Sequence, residues 1–151
     1  RGRRIRIDRT MMLAPMLALA LQATAPIQPP PIAPVQSAPV PADWSALPPL
    51  PYRDPPKITA TMNGFVAGEI SGRRCAVPRP SDGHFAVRVD LAVLVGADGT
   101  ILKAIPRAIQ CPTVEQYSAG LVSSFARGNL PARPGRGTQW YATAITFDWQ
   151  G

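Results

Sequence analysis

Two cysteines are the residues whose type and number most directly indicate chemistry. Cys75 and Cys111 are the only cysteines, and His84 is the only histidine. Redox motifs need close spacing such as Cys-x-x-Cys, and a structural zinc site needs four ligands. We therefore expect a structural disulfide, which would contribute about 4 kcal/mol by the loop-entropy relation. A pair of free buried thiols is the alternative.

Acid–base chemistry has one weak candidate set. Asp82, His84 and Asp90 are close in sequence, but His84 lies between a turn and the start of a strand, where a histidine is usually exposed. No nucleophile elbow, metal-ligand spacing or phosphate-binding loop is present in the sequence. We expect no enzyme, and no cofactor or metal.

Alternation of apolar and polar residues predicts the first strand. Residues 85–95 place Phe, Val and Leu side chains on one face and Arg88 and Asp90 on the other, the pattern of a strand with one buried side. Gly96-Ala97-Asp98-Gly99 predicts a tight hairpin, and residues 100–109 predict the second strand.

A helix is predicted after this hairpin. Pro112 suits a first turn, and Thr113 with Gln116 has capping-box spacing. Gly128 or the following Asn129 can supply a left-handed cap after the last turn, near Phe125. The apolar residues at helical spacing define the expected core face: Val114, Tyr117, Leu121 and Phe125.

The third strand is predicted at residues 140–149, with alternate aromatic and β-branched side chains on one face. Residues 58–71 are spaced like a short helix. The sequence therefore predicts an α+β domain over residues 57–151: a small antiparallel sheet of about three strands on one main helix (ββαβ), with a short helix before it.

The first 25 residues have the pattern of an export signal. Five arginines precede an apolar stretch at residues 11–25, which would span only about 22 Å as a helix, against about 30 Å of hydrocarbon. We expect a signal peptide or a short uncleaved anchor in the inner membrane. Export to the periplasm would also favour the disulfide.

Residues 26–56 contain twelve prolines, so we expect a disordered, polyproline-like spacer. Trp44 and Leu47 are the residues within it that look able to dock on the domain. The net charge of +7 is concentrated in the first ten residues, and the other basic residues are scattered without stacking aromatics. Nucleic acid is therefore not an expected partner.

The order of these features resembles the C-terminal domain of the TonB family of energy transducers. The resemblance is carried by the Asp98-Gly99 hairpin, Tyr117-Ser118-Ala119, Leu130-Pro131-Ala132 and Thr146-Phe147-Asp148-Trp149, behind an anchor and a proline-rich spacer. It implies an interaction module that pairs an edge strand with an outer-membrane receptor or another envelope protein and transmits inner-membrane energy for transport. Inner-membrane motor proteins and a second copy of the chain are further candidate partners.

By this resemblance the partner-binding strand consists of eight residues: Trp140, Tyr141, Ala142, Thr143, Ala144, Ile145, Thr146 and Phe147. Backbone pairing is the functional hypothesis, because an edge strand has unpaired N–H and C=O groups. Trp140, on the opposite face from the core side chains, is the side chain expected to touch a partner. The alternative function is an exported accessory domain with the same fold and no motor coupling.

Overall fold

The computed structural model describes residues 38–72, 75, 77 and 80–151, all within one compact unit, Gln36–Gly151. The predicted export segment and spacer residues 26–37 lie outside the described residues. Within the described part, no helix is long and apolar enough to cross a membrane. The elements run in the order α1 (Ala60–Ser71), β1 (His84–Val95), β2 (Ile101–Pro106), α2 (Pro112–Ala126) and β3 (Gln139–Gln150).

The predicted α+β class is confirmed: the two helices accompany a three-stranded antiparallel sheet in the order β2-β1-β3. The central strand β1 pairs with β3 along its whole length, from His84 opposite Gln150 to Val95 opposite Gln139. Alternation holds as predicted, since five residues of β1 contribute to the main core: Val87, Val89, Leu91, Val93 and Val95.

The predicted hairpin joins β1 to β2. Gly96 donates to the Thr100 carbonyl at 2.9 Å, and the Asp98 carboxylate accepts from the Thr100 N–H and hydroxyl at 3.0 and 2.7 Å. These bonds hold the pKa of Asp98 below its ordinary value. Gly99 has φ +84°, and a Cβ there would lie 3.0 Å from the Leu130 carbonyl. Both facts require glycine at that position.

Helix α2 forms as predicted, but its buried face is shifted by one residue. The buried residues are Val114, Ser118, Val122 and Ala126, whereas three of the four predicted core residues are only partly buried: Tyr117, Leu121 and Phe125. Burial of Ser118 costs little because its hydroxyl donates to the Val114 carbonyl at 2.8 Å.

The predicted capping box of α2 is wrong. The N-cap is Cys111, which makes no side-chain capping bond. Instead the Glu115 carboxylate accepts from the N–H groups of Ile109 at 2.7 Å and Cys111 at 3.1 Å. A carboxylate in the first turn also matches the positive end of the helix dipole. Gly128, with φ +69°, adopts the left-handed conformation expected after the helix.

The helix predicted within residues 58–71 is confirmed as α1. Thr59 caps it, and the backbone N–H of Met62 donates to the Thr59 hydroxyl at 3.4 Å. Val66 is fully buried, and Ile58, Met62 and Ile70 pack against the same core. Helix α1 lies against β3, so both helices cover one face of the sheet.

The expectation of a disordered spacer up to Pro56 fails for residues 38–56. Leu50 is only 7% exposed and belongs to the main core, while Trp44 and Leu47 pack on the other face of the sheet, as their side chains suggested. We name residues 44–50 the strap. It is ordered because its few apolar side chains bury on both faces of the sheet, which compensates for its lack of regular structure.

Candidate docking edge

Strand β3 lies at an edge of the sheet, next to β1 alone. Along an antiparallel strand, the hydrogen-bonding groups of alternate residues point toward the neighbour and away from it. Ala142 points away, because both of its backbone groups bond to the strap. Ala144, Thr146 and Asp148 share its parity, so their N–H and C=O groups also face outward.

The strap closes one end of this edge. The Ala142 N–H donates to the Pro48 carbonyl at 2.9 Å, and the Leu50 N–H donates to the Ala142 carbonyl at 2.8 Å. These two bonds form a parallel bridge between Pro49 and Ala142. The part of the predicted docking strand around Ala142 is therefore already paired within the chain.

Helix α1 closes the other end. The Asp148 N–H donates to the Asn63 side-chain oxygen at 3.3 Å, and the Asn63 amide donates to the Asp148 carboxylate at 3.3 Å. Among the residues that the structure describes, the outward N–H and C=O groups of Ala144 and Thr146 make no hydrogen bond. We call this open stretch the notch; a short extended peptide could add a strand there.

Core packing uses most of the odd-numbered side chains of the predicted docking strand. Tyr141, Ile145 and Phe147 are buried in the main core, and Phe147 is fully inaccessible. Thr143 is half-buried, as are Ala142 and Ala144 on the opposite face, and Thr146 is exposed. The side chains that flank the notch are therefore small, which leaves its backbone open to an approaching strand.

Trp140 is not an exposed contact residue, and this expectation is wrong. It is 8% exposed and packs with Ala92 and Leu94 against Trp44 and Leu47. The alternation of side chains along the strand correctly predicts that Trp140 lies on the face opposite the main core. The sequence pattern does not reveal that residues before the domain fold back to cover that face.

A surface groove of 410 Å³ adjoins the notch. Its lining includes Arg107, whose guanidinium stacks over Trp44 at 4.7 Å, and Arg88, which forms an ion pair with Asp90 at 2.9 Å. Ala144 also lines the groove. Because positive and negative groups are mixed, the groove favours an amphipathic side chain rather than a strongly charged one.

Hydrogen bonds flank the strap on both sides. Before it, the Asp43 carboxylate accepts from the Ser45 N–H at 2.8 Å and hydroxyl at 2.7 Å, local bonds that lower the pKa of Asp43. After it, Asp54 and Asn129 exchange two bonds: the Asp54 N–H donates to the Asn129 side chain at 2.9 Å, and the Asn129 amide donates to the Asp54 carbonyl at 2.8 Å. The chain is therefore anchored just after the strap, and the register of the strap on β3 is set by its two bonds to Ala142.

Cys75 and Cys111 lie at disulfide distance, with their Cα atoms 4.7 Å apart. Both side chains are buried. The bond connects the segment between α1 and β1 to the N-cap of α2. Both cysteines belong to the main core, together with residues of β1 and α2.

The three candidate acid–base residues, Asp82, His84 and Asp90, do not form one site. Asp82 accepts a bond from the His84 backbone N–H at 3.1 Å, and Asp90 is paired with Arg88. Among the described residues, no group of three potential metal ligands is found. The docking edge is the arrangement in the described part of the chain that most clearly offers unused binding groups.

Comparison of the chain with protein-family models, with curated proteins and with solved structures finds no match.

Proposed function

We propose that residues 38–151 form a TonB-like interaction module of the cell envelope, which binds an extended segment of an outer-membrane receptor by strand addition to the notch of β3. The observation that carries this proposal is the pair of outward-facing residues, Ala144 and Thr146, between two closed ends of an edge strand. Backbone pairing would supply affinity, and the adjoining groove would select side chains.

The proposal places the domain in the periplasm, where the disulfide can persist. The N-terminal segment would export the chain or hold it in the inner membrane, and residues 26–37 would connect that segment to the domain. Coupling to inner-membrane motor proteins belongs to the same proposal. An accessory domain without motor coupling is the second candidate. The anchor helix of the resembled transducers carries a histidine used in motor coupling, whereas the apolar stretch at residues 11–25 has none, since the single histidine is His84.

Photo-crosslinking in intact cells tests the docking edge. A benzoylphenylalanine at the exposed position Thr146 should crosslink to a plugged outer-membrane receptor, whereas the same group at the exposed Ser123 of α2 should not. Adding Ala144→Pro to the Thr146 variant should remove the crosslink, because proline eliminates an outward N–H and its ring obstructs an added strand.

The identity of the crosslinked protein separates the two candidate functions. A receptor supports the transducer-like role, and a different envelope protein supports the accessory role. Equal crosslinking from Thr146 and Ser123, or a crosslink that survives Ala144→Pro in a folded protein, would contradict docking at the notch. Circular dichroism of each variant confirms that the domain is folded.

A further inference from the structure

We propose that the strap is a built-in pseudo-ligand of the docking edge: a partner strand that extends to Ala142 must displace it and must fill the site of Leu50 with a leucine-sized apolar side chain. This inference rests on the proposed function and adds two properties to it. One is competition within the chain. The other is the side-chain chemistry of the partner.

Competition follows from the hydrogen bonds of Ala142. Its N–H bonds to Pro48 and its carbonyl to Leu50, so both outward groups are occupied. A strand that pairs with the notch and continues toward Ala142 needs the same two groups. The strap and a longer partner strand therefore cannot occupy Ala142 together.

The requirement for an apolar side chain follows from the burial of Leu50. This side chain is 7% exposed and is part of the main core, together with residues of β1 and α2. If the strap left without a replacement, the core would lose a leucine side chain and retain a cavity, which is unfavourable. A partner with an apolar residue at the corresponding position would restore the packing.

The strap is a weak competitor in backbone bonding. It makes two backbone hydrogen bonds to β3. Pro48 and Pro49 within the strap, and Pro51 directly after it, have no N–H to donate. A partner without these prolines could bond to the notch as well as to Ala142. The strap therefore matches the partner in side-chain burial but not in the number of backbone bonds.

The contacts of the strap indicate how it opens. Its first half is held by partly buried Trp44 and Leu47 and by the stacking of Arg107 on Trp44. Beyond its second half, the paired bonds between Asp54 and Asn129 anchor the chain. Release therefore starts at the first half, and Asn129 retains the displaced segment close to β3.

A labelled peptide with the sequence of residues 44–54 is the probe for this proposal, because the structure shows that this sequence fits the edge. Its binding is measured on the full chain by fluorescence anisotropy. Trp44→Ala/Leu47→Ala should loosen the strap and tighten peptide binding about ten-fold, since apparent affinity rises with the fraction of protein that has an open edge.

A disulfide variant supplies the closed state. Pro49→Cys/Ala142→Cys joins bridge partners, whose expected Cα separation of about 4.8 Å permits a disulfide, and mass spectrometry verifies the bond. This variant should lose peptide binding, and the matched control Pro49→Ser/Ala142→Ser should retain it. Wild-type affinity in the crosslinked variant would overturn the competition.

A variant peptide tests the side-chain requirement. The Leu50→Ser peptide should bind the loosened protein at least ten-fold more weakly, whereas the Pro49→Ser peptide should bind at least as tightly as the original. Equal binding of the Leu50→Ser peptide and the original peptide would overturn the pseudo-ligand proposal. Absence of binding of any peptide to the loosened protein would overturn it as well.

Failure of this inference can be distinguished from failure of the docking edge. The Thr146 crosslink depends on the notch, whereas the peptide assays depend on Ala142 and Leu50. If the disulfide-closed variant still gives the receptor crosslink, the partner does not displace the strap and the inference is wrong, although the proposed function stands.

Discussion

Tyr52 lies just after the strap, where the chain packs against the sheet. Its ring packs against the main core, and its hydroxyl is buried without a partner of good hydrogen-bond geometry. Burial raises the pKa of Tyr52 to about 12, and the nearby Thr143 side chain offsets part of this effect. The Tyr52 hydroxyl therefore loses its proton less readily in the folded domain than in the unfolded chain.

This shift predicts a loss of stability in alkali. The contribution of Tyr52 is fully present below pH 10, the ordinary pKa, and decreases as pH rises toward the folded value of about 12. Urea unfolding at pH 9 and pH 11.5 should show a smaller decrease for Tyr52→Phe than for wild type. Identical decreases in the two proteins would show that Tyr52 is not buried as described.

Single residues illustrate what the sequence can and cannot predict. The pairing of Cys75 with Cys111 follows from their number, and the docking of Trp44 and Leu47 follows from their size in a proline-rich segment. The burial of Leu50 and Trp140 was missed. Both depend on a tertiary contact between distant segments, which leaves no periodic signal in either one.

Among the helices and strands of the described residues, periodicity located β1, β2, β3, α1 and α2 but not every boundary. The second strand was predicted to reach residue 109, yet β2 ends at Pro106. The buried face of α2 was displaced because large apolar residues were selected. In the structure, the buried face of α2 includes the small residues Ser118 and Ala126.

The disulfide links the segment between α1 and β1 to the N-cap of α2, and its removal should be costly. Cys75→Ser/Cys111→Ser should lower the free energy of unfolding by about 4 kcal/mol, because the unfolded chain is no longer constrained by a loop. Chemical denaturation measures this change. Non-reducing mass spectrometry of exported wild-type protein should show the bond, and free thiols there would contradict it.

In the whole molecule, the folded domain begins within the proline-rich region and not after it. The predicted boundary was residue 57, but residues 38–56 contain the strap and Asp54, whose backbone bonds to the Asn129 side chain. Composition alone indicates a spacer, since prolines prevent helices and regular ladders. It cannot show that Leu50, Trp44 and Leu47 find apolar sites on the sheet.

The contact between the strap and β3 shortens the part of the edge strand that is open to a partner. An edge strand that was predicted to be free along residues 140–147 is open at Ala144 and Thr146 and closed by the strap at Ala142. The other edge of the sheet, β2, is half as long, with six residues against twelve. The notch of β3 is therefore the better template for an added strand.

Amide hydrogen exchange on the isotope-labelled full chain tests whether an added strand pairs with the notch. An extended peptide from the crosslinked receptor should slow exchange at Ala144 and Thr146 about ten-fold or more, because their N–H groups become paired. Ala104, which faces outward on β2 by the same alternation, serves as the control and should keep its rate. If the peptide binds while exchange at Ala144 and Thr146 is unchanged, or if protection appears at Ala104 instead, docking at the notch is wrong.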